Sequence, residues 1–145
     1  MTTIAFRDGV IASDSIAVED DMITQVVKIH RSRGCIIGLA GDFYAGYLFL
    51  EWFEENEDGE NRPGASETGD FSAIVLFPDG RLYTCDGHYV LAPELSAYYA
   101  IGSGAAYAMS AMKLGLSAEA AVAHAIGFDV NSGGEVKTMR LEDGS

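Results

Sequence analysis

Thr2-Thr3-Ile4-Ala5-Phe6-Arg7-Asp8-Gly9-Val10-Ile11-Ala12-Ser13-Asp14 is the stretch whose reading decides the fold. Residues 2–6 and 10–14 are two short, mostly apolar runs, and Arg7-Asp8-Gly9 separates them. A three-residue loop with glycine in the left-handed position is a favoured hairpin connection. That register pairs Phe6 with Val10, Ala5 with Ile11 and Thr2 with Asp14, and directly paired residues share a face of the sheet. A two-residue loop sets Thr3 opposite Asp14 instead. Taken alone, Asp14 also reads as a strand-end acid facing water.

Chemistry enters at the first of these residues. Met1 precedes a small residue, so its removal is expected to leave Thr2 as an N-terminal threonine. One residue then carries a hydroxyl nucleophile and an α-amine. With an ordinary pKa of about 7.7–8.0, part of that amine is neutral near pH 7 and can take the hydroxyl proton.

Outward from the hairpin, residues 16–18 end a strand, Glu19-Asp20-Asp21 turns it, and residues 22–30 read as the next strand, with Lys28 inside it. Arg31-Ser32-Arg33-Gly34 is a turn, and residues 35–40 form a continuous apolar run, the pattern of a strand buried on both faces. Gly41 closes that strand, and Asp42 is the expected N-cap of a helix over residues 43–54. Phe43, Tyr47, Leu50 and Phe53 lie along one line of that helix, with Leu48 and Trp52 nearby. Residues 54–70 are acidic and polar and read as a solvated loop.

Pro78-Asp79-Gly80 marks a hairpin between residues 71–77 and 81–85, and residues 88–91 and 97–101 read as further strands. Gly102-Ser103-Gly104 precedes a helix over residues 105–114 that Gly115 ends. Ser117 caps another helix running to about Phe128, and residues 135–141 form the last strand. The order of strands, helix, strands, two helices and strand suits two facing sheets with helices outside them.

Composition narrows the function. The chain has 145 residues, 48% of them apolar, which suits one domain of ordinary size. A net charge of −13 argues against nucleic acid, whose partners carry basic surfaces, and against anionic membranes. No apolar run approaches the roughly 20 residues of a membrane span. No secretory signal is evident, and Cys35 and Cys85 read as two buried thiols in a reducing cytoplasm. His30, His88 and His124 lack ligand spacing, so neither a metal site nor a histidine triad is expected. No phosphate-binding Gly-rich loop ending in Lys-Ser/Thr appears, and no cofactor is expected.

Thr2 to Phe6, Ile11-Ala12-Ser13-Asp14-Ser15 and Gln25-Val26-Val27-Lys28-Ile29 resemble the start of proteasome β-subunits and of HslV, the peptidase of the HslUV protease. Both are N-terminal-nucleophile hydrolases. Gly38-Leu39-Ala40-Gly41 resembles the strand-to-helix junction of that family, Gly102-Ser103-Gly104 its serine between two glycines, and Asp129-Val130-Asn131-Ser132-Gly133-Gly134 its Asp-x-x-Ser-Gly-Gly. The resemblance implies an α+β fold, a four-layer αββα sandwich of two antiparallel sheets. Relatives have two helices after the Gly41 junction where this chain has one and a polar loop, so that helical layer is reduced here. Asp42 stands where relatives often have a second glycine.

The resemblance also implies roles. Thr2 is the nucleophile. Lys28, which by its residues alone reads as an edge-strand lysine facing solvent, becomes the cation that favours the alkoxide. Asp14 holds that lysine charged, the Gly41 N–H is an oxyanion donor, and Ser103, Asp129 and Ser132 position the amine. The implied protein is a threonine peptidase in the cytoplasm, assembled as a homo-oligomeric ring and acting on peptides or unfolded protein, with a separate ATP-dependent unfoldase as a partner. A small-molecule amidase of the same nucleophile class and an inactive ring or scaffold subunit are the alternatives.

Overall fold

The computed structural model describes residues 2–64 and 69–141. They form three antiparallel sheets and three helices. β1 (Ile4–Arg7) and β2 (Val10–Ser13) make the first hairpin, β3 (Ile16–Glu19) and β4 (Met22–Gln25) a second, and β5 (Ile29–Ser32) pairs with β6 (Cys35–Gly41). Then come α1 (Phe43–Glu55), β7 (Phe71–Leu76), β8 (Leu82–Asp86), β9 (Ala92–Glu94), β10 (Tyr98–Ile101), α2 (Ala105–Lys113), α3 (Ala118–Ile126) and β11 (Lys137–Arg140). One large sheet runs β10-β1-β2-β11 and the other β5-β6-β7-β8-β9, while β3 and β4 pair only with each other.

The first hairpin takes the two-residue loop. Arg7 pairs with Val10 and Ile4 with Ser13, so Phe6 faces Ile11 rather than Val10. Asp8 and Gly9 both adopt positive φ, 53° and 74°. Two such residues make the turn whose twist matches the flanking strands, and Asp-Gly tolerates that backbone well. Asp14 therefore lies opposite Thr3, not Thr2, and its N–H donates to the Thr3 carbonyl at 3.1 Å.

Residues 22–30 are not one strand. Val26 N–H donates to Ser15 O, extending the β3–β4 pairing, while Leu39 N–H donates to Lys28 O, extending β5–β6. The chain thus changes partners over residues 26–28 and carries Lys28 from an exposed hairpin into the interior. Residues 88–91 are not a strand either. Tyr89 takes a φ of 61° and turns its ring inward, 5.0 Å from Trp52 and 5.4 Å from Phe49 between centroids.

Alternation along the strands gives each large sheet two buried faces. Ile4, Phe6 and Ile11 pack between the sheets against Ile29, Ile36, Ile74 and Leu82. Ala5, Ala12 and Ala100 face the other way, and their small side chains sit against α2 and α3 through Ala108, Met112, Ala121 and Val122. Ile37, Ala73 and Val75 meet α1.

The buried face of α1 is Ala45, Gly46, Phe49, Trp52 and Phe53, which shares only Phe53 with the line through Phe43, Tyr47, Leu50 and Phe53. A Cβ at Gly46 would lie 3.2 Å from Leu39 Cδ1, so glycine lets the helix approach the sheet closely. Asp42 caps the helix as expected, accepting from the N–H groups of Tyr44 at 2.8 Å and Ala45 at 3.3 Å. Among the described residues no helix follows α1 before β7. Residues 65–68 of the expected loop lie outside the described residues. No described helix is long and apolar enough to cross a membrane.

Candidate active site

Thr2 and Thr3 lead into β1, at the end of the sheet where β10 finishes. The loop after β10 closes over them. Gly102 has a φ of 97°, and a Cβ there would overlap the Thr2 carbonyl; a Cβ at Gly104 would overlap the Thr3 hydroxyl. The Gly104 N–H donates to Thr2 O at 3.1 Å. Two glycines around Ser103 are therefore what the backbone approach requires.

That approach sets Ser103 Oγ 3.1 Å from Thr2 N. Ser103 Oγ and Ser132 Oγ each lie 2.6 Å from the same Asp129 oxygen, Oδ2. A carboxylate only accepts, so both serines donate to it. Their lone pairs are then directed at Thr2 N–H and at the Thr3 hydroxyl, which is 2.8 Å from Ser132 Oγ. Burial alone would raise the Asp129 pKa, but hydrogen bonds from Ser103, Ser132 and the Asn131 N–H outweigh it and hold the carboxyl below its ordinary value.

A second carboxylate lies on the other side of Thr3. Lys28 Nζ is 2.9 Å from both oxygens of Asp14. Thr3 N–H donates to Asp14 Oδ1 at 3.0 Å and Gly133 N–H to Oδ2 at 3.1 Å. Asp14 and Lys28 are 0% and 1% exposed, which overturns both solvent-facing alternatives. Burial pushes the Lys28 pKa below its ordinary value, opposed by the hydrogen bond and charge of Asp14 and by the charge of Asp129.

Gly41 joins through space rather than through this network. It ends β6 with a φ of 100°, and a Cβ there would lie 2.7 Å from Asp70 O. A cavity of about 830 Å³ is lined by Thr2 and Gly41 together, with Asp42, Phe43 and Phe71 among its walls. The seven residues singled out from the sequence therefore converge on one region.

Sequence reasoning left out Thr3 and Gly133. Thr3 ties the two carboxylates together, its N–H on Asp14 and its hydroxyl on Ser132. Its signal was the two-residue hairpin register, which sets it opposite Asp14. Met1 lies outside the described residues. Thr2 N is here the amide of the Met1–Thr2 bond, occupying the place that an α-amine would take once Met1 is removed. Among the described residues no group of three His, Cys, Asp or Glu side chains could hold a metal ion, and Cys35 and Cys85 are buried thiols.

No protein-family model and no curated protein sequence matches the chain. Solved structures do. The chain superposes on eukaryotic HslV from Trypanosoma brucei with a TM-score of 0.71 at 19% identity, over 96% of this chain and 98% of that one. A Thiobacillus denitrificans protein designated BPH gives a TM-score of 0.63 at 20% identity, over 97% of both chains. Its complex with epoxomicin gives 0.64 at 20% identity, over 97% of this chain and 98% of that one. The chain thus has the α+β, antiparallel-sheet fold of HslV, the proteasome-like fold that its first fourteen residues, Lys28 and the two glycine-flanked motifs resemble.

Proposed function

We propose that this protein is a threonine-type peptidase with Thr2 as its nucleophile. The observation that carries the reading is the chain of contacts from Thr2 N through Ser103 to Asp129, beside a sealed Lys28–Asp14 pair. In this reading Thr2 Oγ attacks the scissile carbonyl carbon, and its proton passes to the α-amine of the same residue. The Lys28 ammonium favours the alkoxide. The Gly41 N–H takes the developing oxyanion, a contact worth about 3–4 kcal/mol in a protease where it was measured. The amine, oriented by Ser103, protonates the leaving amine. Water, activated by the same amine, then hydrolyses the Thr2 ester.

The coarser features follow from this reading. Residues 1–145 form one domain, and the three apolar clusters support a four-layer αββα arrangement. The protein works as a homo-oligomeric ring in the cytoplasm, on peptides or unfolded chains, served by a separate ATP-dependent unfoldase. A scaffold subunit has no use for the full set of Thr2, Asp14, Lys28, Ser103, Asp129 and Ser132. A small-molecule amidase is the second reading, favoured by a cavity of about 830 Å³, within the size range of pockets that enclose a drug-sized ligand.

The deciding experiment joins intact mass with labelling. The expected mature chain lacks Met1, hydrolyses peptides and takes up epoxomicin at Thr2. A chain that retains Met1 while hydrolysing peptides sinks the mechanism.

A further inference from the structure

The cavity beside Thr2 carries a charge pattern that the chemistry above does not use. Its walls include Val18, Phe43 and Phe71 and three carboxylates, Glu19, Asp42 and Asp70, and among the described residues no lysine or arginine lines it. The acids come from separate parts of the fold. Glu19 ends β3 on the protruding hairpin, whereas Asp42 and Asp70 are tied together by an Asp42 N–H to Asp70 O bond of 2.9 Å. Asp42 spends its carboxylate capping α1. Glu19 and Asp70 form no ion pair among the described residues.

These carboxylates do not converge into a metal cage. They spread a negative field along an apolar cleft, an arrangement suited to a cation on a long, partly apolar arm rather than a bare ion. We propose, resting on the peptidase reading, that the cavity selects peptides with an arginine or lysine side chain close to the scissile bond, with Glu19 and Asp70 supplying the selecting charge. Both acids are exposed, so the preference is salt-dependent.

The test compares three peptides differing at one residue near the cleaved bond: arginine, its neutral isostere citrulline, and glutamate. For the Met1-free protein at low salt, kcat/KM should fall in the order arginine, citrulline, glutamate, with about a fivefold gap at the first step, the scale of one surface ion pair. The gap should close towards one at about 0.5 M salt and in a Glu19→Gln/Asp70→Asn variant. Binding of the same peptides to Thr2→Ala, followed by fluorescence anisotropy, reads the preference without turnover. Tighter binding of the arginine peptide with no cleavage by the Met1-free protein keeps the charge preference and refutes the peptidase reading. Cleavage of arginine and citrulline peptides at equal rates keeps the peptidase reading and overturns the preference. Equal binding of the two by Thr2→Ala, or a preference for glutamate, overturns it as well, and failure of all three peptides to bind or be cleaved overturns both.

Discussion

Lys28 and Asp14 meet in a two-pronged contact, with Nζ 2.9 Å from each carboxylate oxygen and neither side chain exposed. Such a pair is costly to break from one side, because the remaining charge stays buried without compensation. Lys28→Met should therefore destabilise the fold by about 3–5 kcal/mol in urea titration. Asp14→Leu should fall in the same range, whereas the Lys28→Met/Asp14→Leu double variant should recover part of the summed loss. Additive losses in that cycle would mean that the two side chains are not coupled. The lowered Lys28 pKa also has a sign. The folded protein holds this proton less tightly than the unfolded chain, so the folding penalty present at neutral pH is relieved as pH rises through the folded value. Hydrolysis that needs the ammonium should fall over the same window, below the ordinary lysine value of 10.5.

The loop over Thr2 gives a backbone prediction. Gly102 combines a φ of 97° with a position where a Cβ would overlap the Thr2 carbonyl. Gly102→Ala should cost at least about 1–3 kcal/mol from the backbone conformation alone. It should also displace Thr2 and abolish labelling at that residue. Gly115 has a similar φ of 102° with nothing within 4 Å of an added Cβ. Gly115→Ala should show the backbone cost without losing labelling, which separates strain from displacement of the site.

Much of this was legible in the sequence because several signals were local. Arg7-Asp8-Gly9 announced a hairpin, which takes the shorter of the two loops it allowed; Asp42 and Ser117 announced helix starts, and each of these two accepts a backbone N–H in its helix's first turn. The misreadings came where tertiary packing outvoted local pattern. Residues 22–30 look like one strand until the chain leaves the β3–β4 hairpin to bury Lys28, and nothing between residues 25 and 29 marks that crossing. On α1 the line through Phe43, Tyr47, Leu50 and Phe53 does not mark the buried face, because Tyr47 and Leu50 are as apolar as Phe49 and Trp52. In the fold Phe49, Trp52 and Phe53 pack with Ile37, Ala73, Val75 and Tyr89, and Gly46 lets Leu39 come close. At the site, Thr3 was overlooked because a threonine at a strand start usually signals nothing more than β propensity.

His30 gives a test on the acid side. Among the described residues its Nε2 is buried without a hydrogen-bond partner, and burial pushes its pKa below 6.5, partly offset by a bond to the Val27 backbone. The unfolded chain then binds a proton that the folded protein resists, so stability rises with pH through this window. This contribution is fully present above the unfolded value of 6.5 and is lost as pH falls through the lower folded value. Urea midpoints measured from pH 7.5 to 4.5 should decline over that range, and the decline should flatten in His30→Gln. An unchanged slope in the variant would assign the pH dependence to another group.

Ser103 and Ser132 donate to one Asp129 oxygen at equal distances, yet only Ser103 faces Thr2 N. That difference separates positioning of the amine from support of the carboxylate. As an acceptor backed by an anion, Ser103 favours the protonated amine and so raises its pKa, whereas hydrolysis begins with the neutral form. Ser103→Ala should shift the acid limb of kcat/KM to lower pH. It should also lower the plateau by about 10²–10⁴-fold, the range of a general base removed from its geometry, with KM little altered. Ser132→Ala leaves Ser103 on Asp129 and strips one partner each from Asp129 and the Thr3 hydroxyl, so its principal effect should be about 1–3 kcal/mol of stability. Stopped-flow hydrolysis across pH, paired with urea unfolding of both variants, reads the two effects separately. If Ser132→Ala moves the acid limb as far as Ser103→Ala does, the two serines act on the amine as one unit, and the separate role assigned to Ser103 is wrong.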